Sequence, residues 1–153
     1  MLDMGILGIG ILEYWEVYGC FVVWESSPLQ YSLSMDSYKD LQAWKVGLSL
    51  VKEMYGLTKK LPKEELFGLV SQMRRCSVSV LANIAEGFGR FTFADKANKY
   101  TIARGECTEA EALILIILEL SMVKAEETKS ILSLIDREGK LLSGLIASCR
   151  QHQ

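Results

Sequence analysis

From Ser71 to Arg90 the chain reads SQMRRCSVSVLANIAEGFGR and carries two helical stripes at once. Leu66, Val70, Met73, Ser77, Val80 and Ile84 recur at alternating spacings of three and four, which places them on one side of a helix. Gln72, Arg75, Ser79, Asn83 and Glu86 follow the same rhythm and, at about 100° per residue, fit within an arc of roughly 80° on another side. That row holds more hydrogen-bonding groups than an ordinary Lys/Glu solvent face. Gln72, Ser79, Asn83 and Glu86 are therefore candidates for fixing helix pairing. Gly87 and Gly89 are expected to stop the helix, glycine being the common residue just past a helix end.

The pattern predicts three further helices. The first runs from about Ser37 to Leu57, with Leu41, Trp44, Leu48, Val51 and Tyr55 as its core stripe and Lys45, Lys52 and Lys59 beside it every seven residues. Those lysines either lie along the edge of the core or form a rail facing phosphates. Leu61-Pro62 breaks this helix, and the second starts near Pro62 or Glu65. Small Ser71, Ala82 and Ala85 on one flank of the second would admit a close backbone. Thr92 can cap the third helix, whose core positions are Phe93, Tyr100, Ala103, Cys107, Ala110, Ile114 and Ile117. From Ala112 to Leu120 that helix is apolar nearly all round. The segment is too short to span a membrane, so its two-sided surface predicts burial against both its own bundle and another subunit. The fourth helix, from about Ala125 to Ser148, presents Ile131, Leu134, Ile135, Leu141, Leu142, Leu145 and Ile146.

Several blocks occur together: Tyr38-Lys-Asp-Leu41 with Trp44, Leu61-Pro62-Lys-Glu-Glu-Leu66, Gln72-x-Arg74-Arg75, Asn83-Ile-Ala-Glu-Gly87 and Gly89-Arg90. In this order they resemble the 23S rRNA intervening-sequence, or S23-like, proteins over roughly Met35 to Ser121. The resemblance implies an all-α fold, an antiparallel up-down four-helix bundle, often as a homopentamer. It also implies an association with RNA and ribosomal genes rather than a reaction. S23-like bundles are similar in turn to the accessory subunit of diversity-generating retroelements, a pentameric barrel that binds nucleic acid and a reverse transcriptase.

Residues 1–34 differ from the rest in composition. They contain four of the twelve glycines, Asp3, Glu13, Glu16 and Glu25, and no Lys or Arg. The segment lacks the positive start of a signal peptide, and a span from Gly5 to Trp24 would bury Glu13 and Glu16. It reads as an atypical apolar N-terminal extension to a bundle of residues 35–153. It is either an added packing segment or an overlong gene product whose natural start is Met35.

Formal net charge is −2, but it is unevenly spread. Residues 39–104 hold twelve basic and six acidic groups, while 105–153 hold five and eight. An asymmetric field of this kind suits phosphate binding or head-to-tail subunit contact. Arg75, Arg90, Lys59, Lys60 and Lys96 are the candidate nucleic-acid contacts, with Lys63, Lys99 and Arg104 nearby in sequence. They form one patch only if the first two connections lie together, whereas an up-down bundle sets them at opposite ends. The competing reading of Arg75 is an ion pair with Glu86 or a neighbouring helix.

The four cysteines form no C-x-x-C pair and read as buried thiols of a reducing cytoplasm. His152 is the only histidine, and no Glu-x-x-His pair or P-loop is present, so neither a metal site, a cofactor nor catalysis is expected. The expected function is a homo-oligomeric, non-catalytic binding protein for structured RNA or other nucleic acid. The competing reading is an adaptor for a protein partner such as a reverse transcriptase.

Overall fold

The computed structural model describes residues 37–152; the expectations for residues 1–34 lie outside them. Among the described residues there are four long helices: α1 (Gln42–Thr58), α2 (Leu69–Gly89), α3 (Phe93–Glu119) and α4 (Ala125–Gln151). Single 3-10 turns, Tyr38–Asp40 and Lys63–Leu66, precede α1 and α2. No helix here is long and apolar enough to cross a membrane. Each helix packs on two others in a closed cycle, α1 on α2, α2 on α3, α3 on α4 and α4 on α1. Contacts at the ends fix the up-down course. Lys60, in the first connection, reaches Glu127 at the start of α4 at 2.7 Å. Phe93, opening α3, stacks on His152 after α4 with centroids 5.1 Å apart.

α2 follows its pattern. Val70, Met73, Ser77, Val80 and Ile84 are buried, while Leu66, held in the preceding 3-10 turn, is half exposed. α2 begins at Leu69 rather than at Pro62 or Glu65, because the Lys63–Leu66 turn intervenes. At its other end it continues through Gly87 to Gly89. Gly87 is no left-handed cap; it is small because a Cβ there would stand 2.7 Å from the Tyr100 ring.

α1 departs from expectation. Of the expected stripe only Leu41 is buried; Trp44 and Val51 are half-buried, and Leu48 and Tyr55 are each 40% exposed. The core side is Ala43, Val46, Leu50, Met54 and Leu57. Both sets obey the helical period, so spacing alone could not choose between them. Packing did, by turning the smaller set inward, where α2 and α4 approach closely at Gly47.

Thr92 caps α3 as expected, its hydroxyl accepting from the Asp95 N–H at 3.1 Å. Phe93, the first residue of the helix, is 43% exposed rather than core and stacks on His152 beyond the end of α4. From Ala112 onward α3 has the predicted two-sided character, with Ile114 and Ile117 buried and Leu115, Ile116 and Leu120 exposed. α4 runs to Gln151, three residues beyond the predicted end. Two apolar clusters fill the interior. One centres on Val46, Ile84, Tyr100 and Leu142, the other on Leu50, Met73, Ile114 and Ile131.

Candidate nucleic-acid interface

Helix α2 turns its polar row toward α3. Arg75 bridges two carboxylates there, Glu109 and, at 3.4 Å, Glu106. Hydrogen bonding to Glu109 and the charges of both carboxylates push the guanidinium pKa up. Glu86 accepts from Lys99 at 2.8 Å and from Arg90. The hydrogen bond from Lys99, then that from Arg90, holds its carboxyl below the usual range. Asn83 bonds back to the Ser79 carbonyl at 2.9 Å and hydroxyl at 3.2 Å, within α2 itself. Gln72 is exposed. Within this polar row the links from α2 to α3 thus run through Arg75 and Glu86, and the amide of Asn83 adds none.

Most of the basic groups expected to meet phosphate are occupied within the chain. Arg75 and Arg90 are ion-paired as described. Lys60 pairs with Glu127, whose carboxyl is held low by that hydrogen bond and by the Lys124 N–H. The Lys96 ammonium donates to the Phe88 carbonyl at 2.7 Å and lies over the Phe88 ring. Lys59 remains exposed, with no ion pair among the described residues. Lys59 and Lys60 lie at one end of α2, Arg90 and Lys96 at the other. Twenty-one helical residues at about 1.5 Å each separate the ends by about 30 Å, so the five do not form one patch.

α1 offers a different surface. Lys45, Leu48, Lys52, Tyr55 and Lys59 recur at spacings of three and four, and all five are exposed. Lys45 and Lys52, like Lys59, form no ion pair among the described residues. The row alternates cation with apolar or aromatic side chain over fourteen residues, or about 21 Å. The lysines were legible in the sequence. That Leu48 and Tyr55 share their exposed face was not, because both had been assigned to the core. Beside this row lies a groove between α1 and α2, lined by Tyr55, Phe67, Ser71, Arg74, Val78 and Ala82. Arg74 spans its floor, bonded to the Thr58 hydroxyl at 2.9 Å and lying over the Tyr55 ring. Phe67 is 92% exposed on its rim.

No group of three or more His, Cys, Asp or Glu among the described residues could hold a metal ion. Cys76, Cys107 and Cys149 are free and buried, and burial raises each thiol pKa, that of Cys76 to about 11.

The family model described as 23S rRNA-intervening sequence protein matches residues 39–144, which span the first three helices and most of α4. The chain belongs to that family. A similar solved structure is the crystal structure of a protein of unknown function from the S23 ribosomal protein family of Bacteroides thetaiotaomicron VPI-5482. It is 27% identical with a TM-score of 0.63, the match covering 68% of this chain and 97% of that one. No curated protein matches the chain. Membership of the intervening-sequence family agrees with the four-helix bundle seen here.

Proposed function

We propose that this protein is a non-catalytic, homo-oligomeric binding protein of the cytoplasm that holds structured RNA along the outer face of α1. The observation that carries the reading is the exposed row Lys45, Leu48, Lys52, Tyr55 and Lys59, whose lysines have no carboxylate partner among the described residues. Unpaired lysines neutralise phosphates and release counterions. The interleaved Tyr55, 40% exposed and with Arg74 over one face of its ring, adds aromatic surface for contact with an unpaired base. The family's name, which refers to an rRNA intervening sequence, supports RNA as the ligand class. Exposed Leu115, Ile116 and Leu120 on α3 supply apolar surface for subunit contact. In a homopentamer the modest row of one subunit would act five times over, so avidity could exceed the affinity of any single row.

Anisotropy of a labelled RNA hairpin, titrated at several salt concentrations, tests this. Binding should weaken steeply with salt. The triple change Lys45→Glu, Lys52→Glu and Lys59→Glu should reduce the log–log salt slope by about 2–3, from roughly 0.7–0.9 per phosphate contact. A slope unchanged by the triple change would remove the α1 row from the interface.

The second reading, an adaptor for a protein partner such as a reverse transcriptase, is favoured by the α1/α2 groove and its exposed Phe67. Apolar docking there should be nearly indifferent to salt, and Phe67→Ala should weaken partner capture without altering RNA binding.

A further inference from the structure

Helix α4 buries one carboxyl side chain within its apolar stripe. Glu138 stands between Ile135 and Leu142 in the series Ile131, Ile135, Glu138, Leu142, Ile146 and Cys149, whose spacing is that of a core face. It is fully buried, and neither carboxyl oxygen has a hydrogen-bond partner. The two apolar clusters of the core meet at its level. Along α4, Ile135 belongs to one and Leu141 to the other; along α1, the clusters divide between Leu50 and Val46. Small or polar residues occupy this junction, Gly47 from α1 and Ser77 from α2, both buried. Gly47, which lacks a side chain, lies directly against Leu81 and the carboxyl. A Cβ there would come within 3.6 Å of Glu138 Oε1 and 2.9 Å of Leu81 Cδ2.

We propose that Glu138 is a proton-controlled latch on the seam between α1 and α4. With its proton it stays sealed in the core; without it, the carboxylate forces the seam open at Gly47 to reach water. A carboxylate enclosed by apolar groups and without a donor is far less favourable than the neutral acid.

No neighbouring cation relieves it from within the core. The core side of α1 carries no titratable group, and α2 offers only the Cys76 thiol. From α3 come the Cys107 thiol and the Tyr100 phenol. Burial raises the pKa of all three and keeps them neutral. Cys149, on α4 itself, is likewise a buried thiol raised by burial. The adjacent Arg137, exposed on α4, pulls the Glu138 pKa down against the dominant effect of burial, which pushes it up to about 8. The folded pKa therefore lies above the unfolded one, about 4.5. Stabilisation from the bound proton is fully present below about 4.5, declines as pH rises, and is gone above about 8.

Two measurements on the full chain test the latch. The carboxyl ¹³C resonance of Glu138 should titrate near pH 8; a midpoint below about 6 overturns the proposal. Urea unfolding should show the wild-type folding constant falling on the order of 10- to 100-fold between about pH 6 and about pH 9, a fall that Glu138→Gln should remove. Over the same range, amide exchange beside Gly47 and Glu138 should accelerate in the wild type relative to the Gln variant. Parallel pH profiles in the two proteins overturn the latch. Should the Gln variant fail to fold, the wild-type carboxyl titration still decides.

Discussion

Helices α1 and α2 lie side by side, and each carries an apolar stripe and a row containing basic residues. On α2 the stripe nearest to hand is the core stripe, and the basic group of its polar row, Arg75, is bound to two carboxylates of α3. On α1 Leu48 and Tyr55 of the bulkier stripe are turned outward, and the lysines beside them have no ion pair among the described residues. Charge counted along a chain is thus different from charge available to a ligand. α3 supplies the difference, because between residues 105 and 119 it carries Glu106, Glu109, Glu111 and Glu119 and no basic residue. α2 packs against that acidic run and α1 does not.

The sharpest way to break this comparison is within α1. Leu50→Ala removes a fully buried side chain and should destabilise by about 2–5 kcal/mol in urea unfolding. Leu48→Ala, only two residues away and 40% exposed, should change stability by less than about 1 kcal/mol. Equal losses would mean that the outward stripe is in fact packed.

The glycines closing α2 come next. Gly87→Ala would press on Tyr100 and should destabilise by about 1–3 kcal/mol. Gly89→Ala faces open space in the same helix and should stabilise slightly, by up to about 1 kcal/mol. A left-handed cap at Gly89 would reverse the sign there, since alanine is strained at positive φ.

For the ligand face, Lys52→Glu should weaken RNA binding several-fold at low salt, whereas Arg75→Ala should weaken it much less and act mainly on the α2–α3 contact. If the two changes weaken anisotropy-detected binding alike, the paired Arg75 is available after all. The smallest effect lies in acid. Glu86 and Glu127 have depressed pKa values in the fold, so their contribution is present above the ordinary carboxylate range and is lost as pH falls through their folded values. Double substitution to Gln should flatten the acid limb of a melting curve slightly.

What could be read from the residues follows from period and from breakers. Four helices, the break at Leu61-Pro62, the Thr92 cap and the buried face of α2 from Val70 onward follow from local spacing, because a helix of 3.6 residues per turn writes its core face into the sequence; the 3-10 turn that delays α2 to Leu69 does not. The same rule failed on α1, where two apolar sets satisfy it equally, and at Phe93, where the period holds but the helix has just begun. It also passed over Glu138. Its position is a core place in the 3/4 series of α4, but an apolar stripe does not include a carboxyl.

The sequence alone determined the helices, the acidic character of late α3 and the presence of lysines every seven residues on α1. Tertiary structure decided which α1 stripe faces inward, which cations are neutralised and which carboxyl is sealed away. Each of those depends on what stands opposite a side chain. Lysine reads the same in a chain whether Glu127 waits across the loop, as it does for Lys60, or no carboxylate does, as for Lys59. Periodicity is a property of one helix, whereas burial and pairing are properties of two or more, and only the packed bundle sets them.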